Sequence, residues 1–401
     1  MSRADAAEDA DARFMARALR LAERGLYSTD PNPRVGCVLV RAGEIIADAW
    51  HQRTGEPHAE PLALRQAGEQ ARGATAYVTL EPCCHQGRTP PCTEALINAG
   101  VARVVAAMQD PNPRVAGQGL EQLRAAGIAV EAGLMQTEAE ALNPGFIRRM
   151  RTGLPWVRCK LAMSLDGRTA MASGESRWIT SDAARADVQR LRARSSAILT
   201  GIGTVLSDDP SLNVRIDPQT GQAPAARSAV RQPLRVVLDT QLRLPEDARL
   251  LGLPGRTLVM TAVTPEHRQW NLLEAAGAEV LTSIPSGSGQ IDLGWALREL
   301  GRRDCNEVLI EAGPQLAGAA LRGGWIDELW VYLATHLMGD AARGLFHLPG
   351  LERMEQRVGL ELLEVRQIGD DLRLRFRPQE GAGTNRPVPS VKRGAGKGAH
   401  V

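Results

Sequence analysis

The chain has 401 residues, enough for two domains that each bury a full-sized core. Its 48 basic and 46 acidic side chains nearly cancel, leaving a formal charge of +2, and aromatic residues make up only 3%. That balance argues against a single-stranded nucleic-acid binder, which needs a basic groove interleaved with aromatic platforms.

Residues 1–12 are acidic and Ala-rich, with no basic stretch leading into an apolar run, so no secretory signal is expected. No stretch approaches the ~18 consecutive apolar residues of a membrane span. Residues 13–25 carry apolar side chains at helical spacing and end on Gly25. A loop over 28–33 leads to a buried strand at 35–40, a turn at Gly43 and a hairpin partner at 44–50. A helix is predicted over 58–67, with Pro61 tolerated in its first turn. A strand at 76–80, a helix at 93–99, a strand at 102–108, a helix at 120–126 and a strand at 128–131 follow. This alternation predicts a three-layer α/β unit with its site at strand ends.

Residues 151–155 read as a linker. Beyond it the pattern predicts strands at 156–162, 196–200, 234–239, 256–261, 307–310, 328–334 and 372–376, with a helix at 183–194. Segments 216–233 and 284–290 are rich in Gly, Pro, Ser and Gln and read as surface loops. Residues 378–401 are Pro/Gly-rich and basic, and a disordered tail is expected there.

Six cysteines in so long a chain make no disulfide scaffold; their clustering points to metal and to a reducing cytoplasm. His58-Ala-Glu60, then Pro82-Cys83 and Cys92, supply one imidazole and two thiols for zinc, and one carboxylate that carries protons. Alone, a His-Ala-Glu triplet is usually a solvated helix face, and a lone Cys a small buried apolar residue. Together, in this order, they form the pattern of the nucleobase deaminases, except that eight residues separate the cysteines where two are usual. Those eight residues contain Gly87 and two prolines, so a rigid loop is expected over the site. Cys84 and His85 compete as ligands; Cys83 is favoured because it follows Pro82 at a strand end. Cys37, Cys159 and Cys305 read as structural.

Gly55-Glu-Pro-His-Ala-Glu60, Thr79-Leu-Glu-Pro-Cys83 and Gly87-Arg-Thr-Pro-Pro-Cys92 resemble the deaminase half of the bifunctional riboflavin-biosynthesis deaminase/reductases, the RibD family. Asp30-Pro-Asn-Pro33 and Met108-Gln-Asp-Pro-Asn-Pro113 resemble its flanking motifs. The resemblance implies that His58, Cys83 and Cys92 hold one Zn²⁺, that Glu60 shuttles the proton, and that Asn32 and His51 line the pocket. The family usually has Ser where this chain has Cys84.

The second half lacks a G-x-G-x-x-G fingerprint. It offers a strand running into a Gly-rich turn and a helix over 307–318, a geometry that presents free N–H groups to phosphate. A second such loop spans Thr200 to Thr204, and Arg192 and Arg215 are candidate phosphate clamps. Ser164-Leu-Asp-Gly-Arg-Thr169, Gly174-Glu-Ser-Arg-Trp-Ile-Thr180, Asp208-Asp-Pro210 and Glu311-Ala-Gly-Pro314 resemble the family's reductase half.

The implied fold is α/β: an N-terminal three-layer cytidine-deaminase-like domain at 1–153, then a C-terminal dihydrofolate-reductase-like domain at 154–377. Carried over by position, Ala162, Trp178, Thr204, Asp208, Thr240 and the turn Gly313, Pro314, Gln315, Leu316, Ala317, Gly318 and Ala319 would meet NADPH. Ser176, Arg192, Leu212, Arg215 and Glu311 would meet a small phosphorylated pyrimidine substrate. The implied activity is zinc-dependent deamination of a diaminopyrimidinone ribosyl phosphate, then NADPH reduction of its ribose to a ribityl chain. The family also implies a homodimer or tetramer, with no nucleic-acid or membrane partner. Two rival readings are a deaminase of tRNA or other nucleic-acid bases and an inactive zinc-stabilised protein. Charge balance and the long inter-cysteine loop oppose the first; an intact Glu60 opposes the second.

Overall fold

In a computed structural model, residues 3–86, 90–221, 230–283 and 289–379 are described. Gly87, Arg88 and Thr89 of the inter-cysteine loop, most of the two predicted surface loops and the tail from residue 380 lie outside them. Among the described residues the chain forms a five-stranded sheet, then a nine-stranded sheet, and a two-stranded ribbon beside the second.

The first half runs α1 (Arg3–Glu23), β1 (Gly36–Arg41), β2 (Glu44–Trp50), α2 (Ala59–Ala67), β3 (Thr75–Val78), α3 (Cys92–Ala99), β4 (Arg103–Ala106), α4 (Gln118–Ala125), β5 (Ala129–Ala132), α5 (Gln136–Leu142) and α6 (Pro144–Thr152). Its strands lie in the order β2-β1-β3-β4-β5. The β1 pairings are antiparallel, whereas β3, β4 and β5 run parallel. Period-two alternation along β1 explains the layers. Cys37 and Leu39 face a core shared with Ala63 of α2, Leu96 of α3 and Leu123 of α4. Val38 and Val40 face the opposite core, with Met15 and Leu21 of α1 and Phe146 of α6. The α1 helix begins ten residues before the predicted start. Its opening, residues 3–12, holds five Ala and so has helix propensity, but it lacks the apolar periodicity that marks residues 13–25.

The second half contributes β6 (Trp156–Ser164), β7 (Arg168–Ala170), α7 (Asp182–Arg194), β8 (Ala197–Gly201), α8 (Ile202–Asp208), β9 (Leu234–Leu238), β10 (Thr257–Thr261), α9 (Arg268–Ala275), β11 (Ala278–Thr282), α10 (Leu293–Arg302), β12 (Glu307–Ile310), α11 (Pro314–Arg322), β13 (Glu328–Ala334), β14 (Arg343–Gly344), β15 (Leu360–Ile368) and β16 (Asp371–Pro378). Nine strands form one sheet in the order β11-β10-β9-β8-β12-β6-β13-β16-β15. The strands from β11 to β13 are parallel; β16 and β15 are antiparallel additions at the edge. Ile310, Val157, Leu199 and Val331 anchor the main core of this half.

The halves meet at close backbone contacts. A Cβ on Gly145 of α6 would collide with the carbonyl of Asn306, and one on Gly301 with the carbonyl of Gly153. Beside these contacts Glu307, 2% exposed, receives Arg34 of the first half (2.8 Å) together with Arg158 and Arg194 (3.1 Å) of the second. Three guanidinium groups hold its carboxyl well below the usual carboxylate range, against the effect of burial. Such a cluster serves specificity of docking more than stability, because desolvation offsets most of the attraction. No helix among the described residues is long and apolar enough to cross a membrane.

Candidate functional site

Three local features assemble the first site. His58 caps α2 in an extended conformation, the segment after β3 delivers Cys83, and Cys92 opens α3. His58 Nδ1 lies 3.3 Å from Cys92 Sγ and 3.6 Å from Cys83 Sγ, and the three ligating atoms all fall within 4.8 Å of one another. Tetrahedral zinc with N and S ligands needs ligand separations of about 3.6–3.8 Å, so this donor set fits the ion. Backbone bonds hold the shape: Cys92 N–H donates to Cys83 Sγ (3.4 Å) and Thr93 N–H to the Cys83 carbonyl (3.2 Å). The Cys83 thiol sits well below its ordinary range, first because it shares a hydrogen bond with Cys92 and then because His58 faces it; burial works the other way. Both cysteines would bind a cation as thiolates.

Glu60, on the first turn of α2, is 3% exposed, and its Oε2 is buried with no hydrogen-bond partner. Burial raises its carboxyl above the ordinary range. An orphaned carboxylate oxygen beside three convergent ligands is a fit to a site whose water and substrate complete it. His51 completes the wall, its ring edge-on to that of His58 with centroids 5.3 Å apart. His51 Nδ1 faces the Pro57 carbonyl at 3.1 Å, and its Nε2 faces Asn32 Nδ2 at 3.1 Å. A carbonyl only accepts, so Nδ1 carries the proton, Nε2 accepts, and the Asn32 amide donates to it.

Two neighbours went unsingled in the sequence. Glu81, 3% exposed, accepts four backbone N–H bonds, from Asp110 (3.0 Å), Gly117 (2.9 Å), Gly119 (2.9 Å) and Leu120 (3.3 Å). It thereby ties the strand end carrying Cys83 to the loop before α4. Asp110 is raised to about 7, chiefly by burial and then by the charges of Glu81 and Cys83. Cys84 stays outside the ligand cluster, as does exposed His85, and burial pushes the Cys84 thiol up.

The second site is a cavity of about 1030 Å³ at the carboxyl ends of the parallel strands. Small-molecule pockets run to about 1,000 Å³, so the space suits a large cofactor beside a substrate. Ala162 of β6, Thr204 and Asp208 of α8, Trp178, and Gly313 to Leu316 line it. Gly203 and Gly313 have nothing within 4 Å of where a Cβ would stand, so their backbones leave open a space that side chains would fill. Gly313 N-caps α11, with Pro314 in its first turn, and its N–H donates to Thr204 Oγ1 (3.3 Å). Trp178 stands 70% exposed at the rim, with the Arg185 guanidinium over its ring.

Ser176, Arg192, Leu212, Arg215 and Glu311 line the same cavity. Arg192 pairs with Glu311 through two bonds, of 2.6 and 2.9 Å, and donates to the Asn213 carbonyl (3.1 Å). The Arg215 backbone N–H donates to Gln189 Oε1 (2.9 Å), while its guanidinium donates to Asn213 Oδ1 (3.2 Å) and pairs with no carboxylate among the described residues. Thr240, Ala317, Gly318 and Ala319 do not line the cavity. Thr240 bonds Gln290 (3.3 Å), and Gly318 packs on the backbone of His347. Lys160 lines the cavity and was not singled out from the sequence. Burial pushes its ammonium down, Glu311 opposes that, and its Nζ lies 5.9 Å from the Tyr332 ring. The available signal is a second basic residue, two positions after Arg158, in a strand that is otherwise mostly apolar.

Comparison with known proteins agrees with this geometry. Residues 8–108 match the model of the cytidine and deoxycytidylate deaminase zinc-binding region, and residues 155–374 match that of the RibD C-terminal domain. The riboflavin biosynthesis protein RibD of Escherichia coli K12 is 54% identical over 367 residues, covering 90% of this chain and 98% of its own. That of Haemophilus influenzae is 50% identical, covering 92% and 98%. Among solved structures, Acinetobacter baumannii RibD superposes with a TM-score of 0.85 at 48% identity, covering 93% of this chain and all (100%) of that one. A deaminase/reductase from Thermotoga maritima gives 0.78 at 33% identity, covering 93% and 99%. The chain belongs to the RibD family of riboflavin biosynthesis, bifunctional enzymes that join a zinc-dependent deaminase to an NADPH-dependent reductase.

Proposed function

We propose that residues 1–153 deaminate 2,5-diamino-6-ribosylamino-4(3H)-pyrimidinone 5′-phosphate and that residues 154–377 then reduce its ribosyl group with NADPH. The product is 5-amino-6-ribitylamino-uracil 5′-phosphate. The observation that carries the first step is the orphaned Glu60 Oε2 beside the His58, Cys83 and Cys92 cluster. Zinc held by those three residues supplies the activation of a water molecule. Glu60 Oε2 takes one proton from the attacking water and gives it to the ring nitrogen, then takes the second from the new hydroxyl and gives it to the departing ammonia. Burial favours its protonated form, which suits a group that must hold the proton between two transfers. His51 fixes the Asn32 amide against the pyrimidine and keeps water away from the His58 ring.

In the second step Arg215 and the Arg192–Glu311 pair receive the sugar phosphate, and Lys160 sets a cation beside them. Ala162, Trp178, Thr204, Asp208 and the turn at Gly313 would hold NADPH, which would supply the hydride for the ribosyl C1. Thr240 and residues 317–319 support that cofactor from outside the cavity wall. Positioning carries most of the acceleration, since no side chain stands out as a dedicated acid. The decisive assay follows ammonia release and NADPH oxidation separately on the diaminopyrimidinone nucleotide. Ammonia release without NADPH, followed by NADPH oxidation, supports the reading; activity on RNA with none on the free nucleotide overturns it.

The enzyme works in the cytoplasm as a homodimer or tetramer on this reading. The edge strand β15 supports self-association, with Leu362 and Val365 55% and 56% exposed. Leu362→Lys should lower the mass measured by light scattering; an unchanged mass removes β15 from the contact.

A further inference from the structure

Asn32 belongs to the deaminase half, yet much of what holds its loop comes from the reductase half. Asp30 Oδ1 accepts from Ser196 Oγ (2.8 Å) and from Asn306 Nδ2 (3.1 Å), while its Oδ2 pairs with Arg231 (3.2 Å). Asn306 Nδ2 also donates to the Pro31 carbonyl (2.8 Å). Ser196 and Asn306 are themselves 6% and 5% exposed, so these bonds are sheltered from water. On the far side of Asn32, Arg34 N–H donates to Asn143 Oδ1 (2.8 Å), and its guanidinium meets Glu307. Asn32 thus stands between Pro31 and Pro33, in a segment pinned at both ends. Proline restricts its own φ and the conformation of the residue before it. A shift at Asp30 therefore passes to Asn32 instead of being absorbed by a soft torsion.

The other end of this chain of contacts is at the metal site. Asn32 donates to His51 Nε2, and the His51 ring packs edge-on against the ligand His58. With one amide hydrogen committed to His51, Asn32 keeps its Oδ1 and second N–H for the pyrimidine.

We propose that the reductase half sets the substrate contact of the deaminase half: Asn306, with Ser196 and Arg231, places Asn32 through Asp30 and Pro31. This rests on the reading that Asn32 touches the pyrimidine. Asn306 is then a positioning residue for deamination, although it lies in the domain that performs the other reaction. Deamination efficiency thus depends on docking of the two halves.

The test is Asn306→Asp in the full-length zinc-loaded enzyme. The substitution keeps the side-chain volume and the oxygen that accepts from Arg149 (2.7 Å), but it turns the donor facing Asp30 and Pro31 into an acceptor. We expect the deamination KM to rise about tenfold with kcat within about twofold, since sub-ångström misplacement of a binding group costs on that scale. Reduction of the separately supplied deaminated intermediate should be unchanged. Adding Asp30→Asn restores a donor–acceptor pair and should return the KM toward its parent value.

An unchanged deamination KM in Asn306→Asp overturns the proposal. So does an equal loss of both activities with a lowered melting temperature and no rescue, which marks the contact as merely structural. Asn32→Ala separates the two levels of argument. If it raises the KM while Asn306→Asp does not, the pocket assignment stands and the coupling fails. If it leaves deamination untouched, the pocket assignment itself is wrong and the proposal falls with it.

Discussion

The two sites of this molecule solve different problems. The zinc site is a point: three ligand atoms within 4.8 Å and one buried carboxylate, supplied by residues 58–92. The reductase site is a trough of about 1030 Å³, lined from Lys160 to Leu345 and open to solvent at Trp178. Deamination needs one bond made and one broken around a fixed proton carrier, so it concentrates its chemistry in few atoms. Hydride transfer borrows its chemistry from the cofactor, so the protein spends its residues on shape and charge. Loss of function should be nearly all-or-none in the first site and graded in the second.

The sharpest test of that contrast is Glu60→Gln. Ammonia release should fall by about 10²–10⁴-fold while NADPH oxidation on the deaminated intermediate persists, the scale expected for losing a general acid–base group. Retained ammonia release would end the assignment of Glu60. Lys160→Met comes next. Reduction should drop by about 30-fold or more, as for removing a half-buried charge that meets a ligand, with deamination intact. Arg215→Ala should act more mildly, raising the KM for the deaminated intermediate about tenfold with little change in kcat, the cost of one charge-assisted hydrogen bond. If Arg215→Ala instead abolished turnover, the graded picture of the trough would be broken.

The smallest effect is one of stability. Asp110 is raised to about 7 in the fold, so the unfolded chain ionises first as pH rises. Its protonated form favours folding below the unfolded pKa, and that contribution is lost as pH rises through about 7. Asp110→Asn should therefore match the parent's melting temperature near pH ~4 and exceed it near pH ~8. Equal melting temperatures at both would show that the Asp110 carboxyl is not raised.

The same contrast explains what could be read from the residues alone. Zinc accepts few donor types, so the proposed ligands His58, Cys83 and Cys92 announce themselves in short motifs, with the proposed proton carrier Glu60 beside them. Cavity walls are less legible, because many residue types can line them and some contribute only backbone. Lys160 shares a mostly apolar strand with Arg158, which makes no contact with the cavity, and Thr240 bonds Gln290 instead of lining the cavity. Both halves of the fold were visible as strand–helix alternation, but β15 was not, since its exposed Leu and Val side chains break the usual burial pattern. The role of Asp30 was invisible for a different reason. Its partners Ser196, Arg231 and Asn306 lie 166 to 276 positions away, and no local pattern encodes such pairings.

Glu81 carries one more consequence, for how the enzyme acquires its metal. Its four backbone bonds, and the N–H of Cys92 on Cys83 Sγ, are internal to the polypeptide. None of these bonds needs the ion, so the seat is expected to keep its shape without it, unlike small zinc modules that fold only around their metal. Loading is a docking event into a finished receptacle, and a chelator should strip the ion without collapsing the domain. Under zinc scarcity the cell would hold folded, reloadable enzyme, with its reductase still competent, in place of unfolded chains destined for proteolysis.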